Sequence, residues 1–318
     1  MSDLLPAGVA PVTRKELADH LAGLRFAILM LLIGVAALAA VYVAGQAIRE
    51  VASQSQGARF VFVALFTVSD KNLPSFVSFV AFLGPLLGIA LGFDSLNSER
   101  SQGTLSRLIA QPIHRDAVLH GKFLAGLLTI ALALAVLLLL VAGLGLLLVG
   151  VPPSAEEVLR LVGFFVITVL YVGFWLALAQ LFSVIFRQAA TSALAAIAVW
   201  LFFAIFASLL VGLAADALAP LGKDPTVQET LRHERLVTGL ERVSPITLYS
   251  EATTALLNPS VRSLGVLLPQ QVDRAVAAPL GLGQSLLLVW PQVVALVGAV
   301  LVFFAVGYVL FMREEVRA

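Results

Sequence analysis

The sequence predicts an all-α, polytopic membrane protein, and three observations lead to that prediction. Hydrophobic residues make up 60% of the 318 residues, charged residues only 12%, and the mean hydropathy is +1.01. Soluble domains carry about 25% charged residues. Six apolar runs reach the ~20 residues that a helix needs to cross a bilayer. None of these runs has Asp, Glu, Lys, Arg or His in its interior.

The N-terminal segment, residues 1–25, is too polar for a secretory signal and predicts an amphipathic elbow helix. Residues 13–16, T-R-K-E, have the S/T-x-x-E form of a capping box, which begins a helix by satisfying its free N–H groups. An apolar stripe follows at i, i+4 and i+7, formed by Leu17, Leu21 and Leu24. We expect residues 13–25 to lie on the cytoplasmic membrane surface and residues 1–12 to form a mobile tail.

The six predicted transmembrane helices divide into five within residues 26–214 and one within residues 286–318. They cover residues 26–48, 73–93, 123–149, 161–182, 189–214 and 286–312. Ionisable side chains at the bilayer centre are the usual mark of proton and ion relays. Their absence argues against a proton-driven carrier, a channel and an intramembrane protease.

The distribution of Lys and Arg predicts the orientation of the chain. With a cytoplasmic N-terminus, the inner side holds Arg14, Lys15, Arg25, Arg100, Arg107, Arg115, Lys122, Arg187, Arg313 and Arg317. The short outer loops hold Arg49, Arg59, Lys71 and Arg160. Ten against four predicts a multi-pass protein of the cytoplasmic membrane with both termini inside the cell.

The long loop of residues 215–285 predicts a small extracytoplasmic helical cap between helices 5 and 6. Six prolines divide this loop, and residues 227–243 and 247–257 have helical patterns. A purely connecting loop is rarely this long. An inert lid and a role in gating or partner binding both fit the pattern.

A polar segment at about residues 97–116 lies between the second and third apolar runs. Leu105, Leu108 and Ile109 would form one apolar face of a short helix. Gly103 interrupts the backbone before this helix, and Pro112 ends it. Such a helix could dock a cytoplasmic partner or simply turn the chain at the membrane surface, and the pattern alone favours the simple turn.

Small residues predict one close helix contact in the second span. Gly84, Gly88 and Gly92 recur every four residues and would let another backbone approach, while Pro85 would bend the helix. The notable polar groups at membrane depth could line a pathway or bond to neighbouring helices. They are Thr168, Gln180, Ser192, Ser208 and Gln292.

The composition also limits the chemistry of the chain. It has no cysteine and no basic tract interleaved with aromatic residues, so thiolate chemistry is absent and nucleic acid is not an expected partner. The phosphate-binding pattern G-x-x-x-x-G-K-[ST] is also absent. We therefore expect no catalytic residue, no metal site and no cofactor bound by this chain.

The polar segment resembles the signature of the ABC-2-type permeases, the membrane subunits of ABC exporters. The resemblance rests on E-R-S-Q-G-T-L at 99–105, A-Q-P at 110–112, Arg115 and G-K at 121–122, with S-P at 244–245 and Y-S-E at 249–251. The family that the segment resembles includes the branch with the permease of nitrous-oxide-reductase maturation. Where the family usually has Ser or Thr, this chain has His114, a poor cap that Asp116 partly compensates.

The resemblance implies that residues 100–112 form a coupling helix in a groove of a separate ATPase. The implied coupling residues are Glu99, Arg100, Gly103, Thr104, Leu105, Arg107, Leu108, Gln111, Pro112 and Arg115. The charged ones would contact the ATPase, and the apolar ones would pack on the membrane domain.

The function implied by the resemblance is ATP-driven export by alternating access. This chain would be a non-enzymatic permease, paired with a second copy or a homologous permease in membrane lipid, while the ATPase partner uses ATP and Mg²⁺. The uncharged spans favour an apolar or amphiphilic cargo, such as a lipid or a drug-like molecule. The alternative is a non-transporting scaffold that recruits an extracytoplasmic partner through residues 215–285.

Overall fold

The computed structural model describes residues 8–52, 60–69, 74–101, 103, 114–222, 224–264 and 279–313. Every regular element in these ranges is helical, which confirms the predicted all-α class. The helices are α1 (Val9–Ala22), α2 (Leu24–Ala52), α3 (Val61–Thr67), α4 (Phe76–Gly92), α5 (Asn97–Ser101), α6 (Arg115–Val149), α7 (Ala155–Ile185), α8 (Ala189–Leu201), a π-helical turn (Phe202–Phe206), α9 (Ala207–Leu218), α10 (Val227–Glu241), α11 (Pro245–Leu257) and α12 (Leu282–Arg313).

Six helical stretches in the described part of the chain are long and apolar enough to cross a membrane, as predicted. They are α2, α4 with α5, α6, α7, the continuous α8–π–α9 unit, and α12. Helix α7 is the centre of the bundle, since 67% of its apolar window is buried against 11% for each of the last two spans. It contacts α4, α6, α8, α11 and α12.

The glycine stripe of α4 lies against α7. A Cβ at Gly92 would come within 2.8 Å of the Leu176 carbonyl oxygen, and one at Gly88 within 2.9 Å of the Leu176 nitrogen. These distances leave no room for a side chain. The stripe therefore serves helix packing within one chain, as small-xxx-small patterns do in membranes.

The N-terminal helix differs from its predicted form. It begins at Val9 rather than near residue 13, and Gly8 precedes it without a side-chain cap. Thr13 lies inside the helix and its hydroxyl donates to the carbonyl oxygens of Val9 (2.9 Å) and Gly121 (3.3 Å). The predicted capping box is therefore wrong, because Thr13 and Glu16 are used in contacts with α6. Of the predicted leucine stripe, Leu17 is half-buried and Leu21 is exposed, whereas Leu24, 74% exposed, already belongs to α2 because α1 ends at Ala22.

The loop between the fifth and sixth spans contains both predicted helices, α10 and α11, but they have different surroundings. Helix α11 packs against α3, α4, α7 and α12 and is part of the bundle rather than of a separate cap. Tyr249 of α11 is fully buried, and its ring stacks on Tyr171 of α7 at 4.3 Å between centroids. Its hydroxyl lies 3.1 Å from the Thr168 hydroxyl.

Candidate coupling site

The sequence-predicted coupling residues fall on both sides of the described boundary. Glu99 and Arg100 lie in α5, Gly103 follows in the left-handed region with φ of 64°, and Arg115 is the first residue of α6. Gly103 is suited to this backbone conformation because it has no Cβ. The predictions for Thr104, Leu105, Arg107, Leu108, Gln111 and Pro112 lie outside the described residues, as does the side chain of Arg115.

Helix α6 begins as the sequence predicts. His114 occupies the N-cap position without a side-chain hydrogen bond, and Asp116 lies in the first turn. An acidic residue there interacts favourably with the positive end of the helix dipole. The chain leaving the predicted coupling segment therefore enters the third span through a helix start that lacks a side-chain cap.

Two lysines and two glutamates form an ion cluster where α1, α5 and α6 meet. The Nζ atom of Lys122 lies 2.8 Å from Oε1 of Glu16 and 3.4 Å from Oε1 of Glu99. The Nζ atom of Lys15 lies 3.0 Å from Oε1 of Glu16 and 3.9 Å from Oε1 of Glu99. We call these four residues, Lys15, Glu16, Glu99 and Lys122, the ion cluster.

The ion cluster is held in a largely buried position by close helix packing. The side chain of Lys122 is only 4% exposed, and a Cβ on Gly121 would come within 2.7 Å of Val12. Gly121 thus lets α1 approach α6 so closely that Lys122 is removed from water. A buried ammonium group is costly unless it is paired, and here two carboxylates surround it.

The electrostatics of the cluster favour its charged form. Burial alone would raise the pKa of Glu16, but the charges and hydrogen bonds of Lys122 and Lys15 lower it overall. Burial would lower the pKa of Lys15, and its hydrogen bond to Glu16 and the neighbouring carboxylates raise it overall. Burial lowers the pKa of His20, which lies beside the cluster on α1.

The same short helix, α5, is also fixed to the end of α7. A guanidinium nitrogen of Arg100 donates to the carbonyl oxygens of Ser183 (3.4 Å) and Val184 (3.3 Å), in the last turn of α7. A cation in this position interacts favourably with the helix dipole. The backbone N–H groups of Leu96 and Asn97 donate to the Ser183 hydroxyl at 2.9 and 3.3 Å. The entrance to the predicted coupling segment is therefore joined to α1, α6 and α7.

Sequence reasoning missed a second set of charged contacts, at the start of α7. Arg160 is fully buried and donates to the carbonyl oxygens of Leu256 and Leu280, each at 2.6 Å, and to the Ser285 hydroxyl at 3.1 Å. One turn earlier, Glu157 accepts hydrogen bonds from the first N–H groups of α3. Arg160 also pairs with Glu156 at 2.8 Å, and this i, i+4 spacing is a signal that the sequence contains. The other three partners leave no such signal, because they lie 96 to 125 residues away.

The polar groups that the sequence singled out at membrane depth mostly bond to neighbouring helices. Gln180 of α7 donates to the Leu119 carbonyl oxygen of α6 at 3.3 Å. Gln292 of α12 donates at 2.8 Å to Glu251 of α11, which also pairs with Arg242. Ser192 is buried without a hydrogen-bond partner among the described residues. These contacts favour packing over a polar pathway within this one chain.

Comparison with known proteins places the chain in a family. The sequence model of the ABC-2 family transporter proteins matches residues 10–316. A protein named probable ABC transporter permease protein NosY, from Pseudomonas aeruginosa, is 28% identical over 197 residues, 61% of this chain and 66% of the relative. The protein of the same name from Stutzerimonas stutzeri is 30% identical over 122 residues, 38% of this chain and 40% of the relative.

These two matches span less than two thirds of the relatives' own lengths, whereas the family match extends over nearly the whole chain. It includes the six membrane-spanning stretches, the ion cluster and the segment between α5 and α6. The chain belongs to the ABC-2 family of transporter proteins.

Proposed function

We propose that this chain is the membrane permease subunit of an ABC exporter and that its 97–116 segment docks on a separate ATPase. Two copies of the chain, or one copy and a homologous permease, would form the transport path. ATP and Mg²⁺ would be bound by the ATPase, since this sequence lacks a phosphate-binding loop. Closure of the ATPase subunits would move the docked segments and rock the two permease halves.

The observation that best supports this proposal is the attachment of α5 to three other helices. The ion cluster joins α5 to α1 and α6, and Arg100 joins α5 to the last turn of α7. A displacement of the adjoining docking segment would therefore reach α1, α6 and α7. A surface helix that merely turns the chain needs no such attachment.

The composition of the spans supports the proposed cargo. An apolar or amphiphilic molecule, such as a lipid or drug-like compound, suits a path between helices whose interiors lack ionisable residues. The excess of Lys and Arg beside α1, α5 and α6 supports placement in the cytoplasmic membrane with both termini inside the cell. Finding that purified vesicles export only a hydrophilic solute would refute the cargo proposal.

Two variants distinguish binding of the ATPase from transmission of its movement to the membrane helices. Arg107→Glu reverses a charge in the predicted docking helix and should remove the ATPase that copurifies with the tagged chain in mild detergent. Glu99→Gln removes one carboxylate from the ion cluster and should leave copurification intact. It should lower transport-coupled ATP hydrolysis about tenfold, because Lys122 then loses one of its two buried partners.

The matched control is Glu234→Gln, which removes the same charge from an exposed position on α10, distant in sequence from the coupling segment. It should behave like the unmodified chain in both assays. Retention of the ATPase and of coupled hydrolysis in both test variants would refute the proposal.

Under the scaffold alternative, Arg107→Glu and Glu99→Gln should have little effect on function. The partner-binding surface would then be residues 215–285, of which α11 is buried in the bundle while α10 is mostly exposed. A copurifying extracytoplasmic protein that is lost on deletion of α10, with no ATPase present, would replace the exporter proposal with the scaffold.

A further inference from the structure

A cavity of about 360 Å³ lies between the fifth span and the helices that follow it. One wall is the π-helical turn and the start of α9, and the other is the junction of α10 with α11. A π-helical turn widens a helix locally and often occurs at functional sites. Here it presents Phe202 and Phe203, with Leu210 and Val211 one to two turns further on, as an apolar wall.

The opposite wall contains one ionisable side chain among the described residues. Glu241, in the last turn of α10, lines the cavity, and its carboxylate has no hydrogen bond or ion pair within the described part of the chain. The adjacent Arg242 is turned away, because it pairs with Glu251 at 2.9 Å and donates to the Leu264 carbonyl oxygen. A cation therefore finds an unopposed negative charge at this position.

The N-terminus of α11 faces the same cavity. Ile246 and Thr247 line it, and their N–H groups precede the first intrahelical bond, which runs from Leu248 N to the Ser244 carbonyl oxygen at 3.1 Å. Ser244 also lines the cavity and is only 5% exposed, yet its hydroxyl makes neither the usual cap bond nor another hydrogen bond among the described residues. Free N–H groups with a spare hydroxyl form an anion site.

We propose that this cavity binds one phospholipid with a zwitterionic, primary-ammonium headgroup. Its ammonium group pairs with Glu241, its phosphate accepts hydrogen bonds from Ser244 and the α11 N-terminus, and its acyl chains lie along Phe202 and Phe203. A purely cationic amphiphile would leave the free N–H groups at the start of α11 without an acceptor. A purely anionic amphiphile would be repelled by the carboxylate of Glu241. The ethanolamine headgroup supplies both charges, and its primary ammonium, unlike a quaternary one, can also donate hydrogen bonds to the Glu241 carboxylate. This site is independent of ATPase docking.

The test uses the full chain in nanodiscs of equal parts phosphatidylethanolamine and phosphatidylglycerol, followed by native mass spectrometry. The lipid retained on the unmodified chain should be phosphatidylethanolamine, by about tenfold over phosphatidylglycerol, as expected for one charge-assisted hydrogen bond. Glu241→Gln should reduce this preference to near equality. Glu234→Gln, the matched charge removal on an exposed position of the same helix, should leave it unchanged.

A second variant tests the same site with a substitution that should not affect folding. Ser244→Ala removes a hydroxyl that makes no cap bond, so the melting temperature should not change while retention of the lipid falls. Ser250→Ala on the same helix is its control, because Ser250 does not line the cavity. Enrichment of phosphatidylglycerol, a preference that survives Glu241→Gln, or a dimer that retains no lipid because a second copy fills the cavity would each overturn the proposal.

Discussion

The Tyr171 hydroxyl compensates for the hydrogen bond that Pro85 removes from α4. Proline has no N–H group, so the carbonyl oxygen of Ala81, four residues earlier, has no intrahelical donor. Tyr171 of α7 donates to this oxygen at 2.6 Å. Because the ring of Tyr171 also stacks on Tyr249, one side chain connects the turn of α4 that precedes Pro85 with α11.

A double-mutant cycle measures this compensation. Tyr171→Phe should lower the free energy of unfolding by about 1 kcal/mol, because the Ala81 carbonyl oxygen is then unsatisfied at membrane depth. In a Pro85→Ala background the same change should cost less, since residue 85 can then donate to Ala81 itself. Unfolding in mild detergent measures both effects.

The control for this cycle is Tyr308→Phe on α12, which removes a hydroxyl that has no hydrogen bond among the described residues. Equal costs of Tyr171→Phe in the two backgrounds would show that the hydroxyl does not compensate for Pro85.

At the scale of single elements, α1 combines two functions on two faces. Val9, Val12, Thr13 and Glu16 face the bundle, while Leu21 on the other face is exposed and available to the membrane surface, as is Leu24, the first residue of α2. The sequence predicted the exposed stripe from its spacing. It could not predict the other face, because Glu16 finds its partner Lys122 only after 106 residues.

The docking of α1 on α6 should depend on pH through His20 and Glu16. Both pKa values are lowered in the folded chain, from 6.5 and 4.5 respectively, so the undocked state binds more protons and docking weakens as the pH falls. The loss should begin below pH 6.5, where His20 of the undocked state takes up its proton, and Glu16 should add to it below pH 4.5. Because the pKa of Lys15 is raised from 10.5 in the folded chain, docking should also weaken when the pH rises above 10.5.

Hydrogen exchange of the α1 amides, corrected for intrinsic rates, measures this dependence. Protection should be constant between pH 6.5 and 10.5, and His20→Gln should remove the step below 6.5 while keeping the one below 4.5. Protection that increases on acidification would contradict the assignment.

Helix α11 shows where sequence reasoning reached its limit at the element scale. Its boundaries were predicted closely, but a long loop with six prolines indicated a small folded cap outside the membrane bundle. A signal against that interpretation was present, since the buried residues Tyr249, Ala252, Thr253 and Leu256 recur at helical spacing. Burial against α7 depends on contacts between residues 81 to 96 positions apart, which periodicity alone cannot identify.

At the scale of the whole molecule, hydropathy in the sequence predicted the membrane-spanning helices, but it did not predict how those helices pack together. The six spans follow from apolar length, because an apolar helix satisfies its own backbone N–H and C=O groups inside a bilayer. The central position of α7, by contrast, depends on which neighbours its small and apolar residues meet. The joint role of Glu99 and Lys122 was likewise visible as a motif but not as a contact.

The position of Arg160 has a consequence for biosynthesis. Arg160 is synthesised long before its acceptors at residues 256 and 280, so in the nascent α7 its guanidinium has only the Glu156 carboxylate, one turn earlier, as a partner. A charged side chain at a helix end can extend to the interface and hold the helix higher in the bilayer. Helix α7 should therefore settle to its final depth only after α11 and the start of α12 have been made.

Cysteine labelling of nascent chains tests this order of assembly, since the natural chain has no cysteine. With Phe164→Cys, one turn deeper than Arg160, a water-soluble maleimide should label chains truncated after residue 258 and spare full-length chains, in which position 164 is 3% exposed. Equal protection at both lengths would show that α7 settles without its late partners. If labelling differs as expected, a helix made midway through synthesis reaches its buried position only when the last fifth of the chain supplies its hydrogen-bond acceptors.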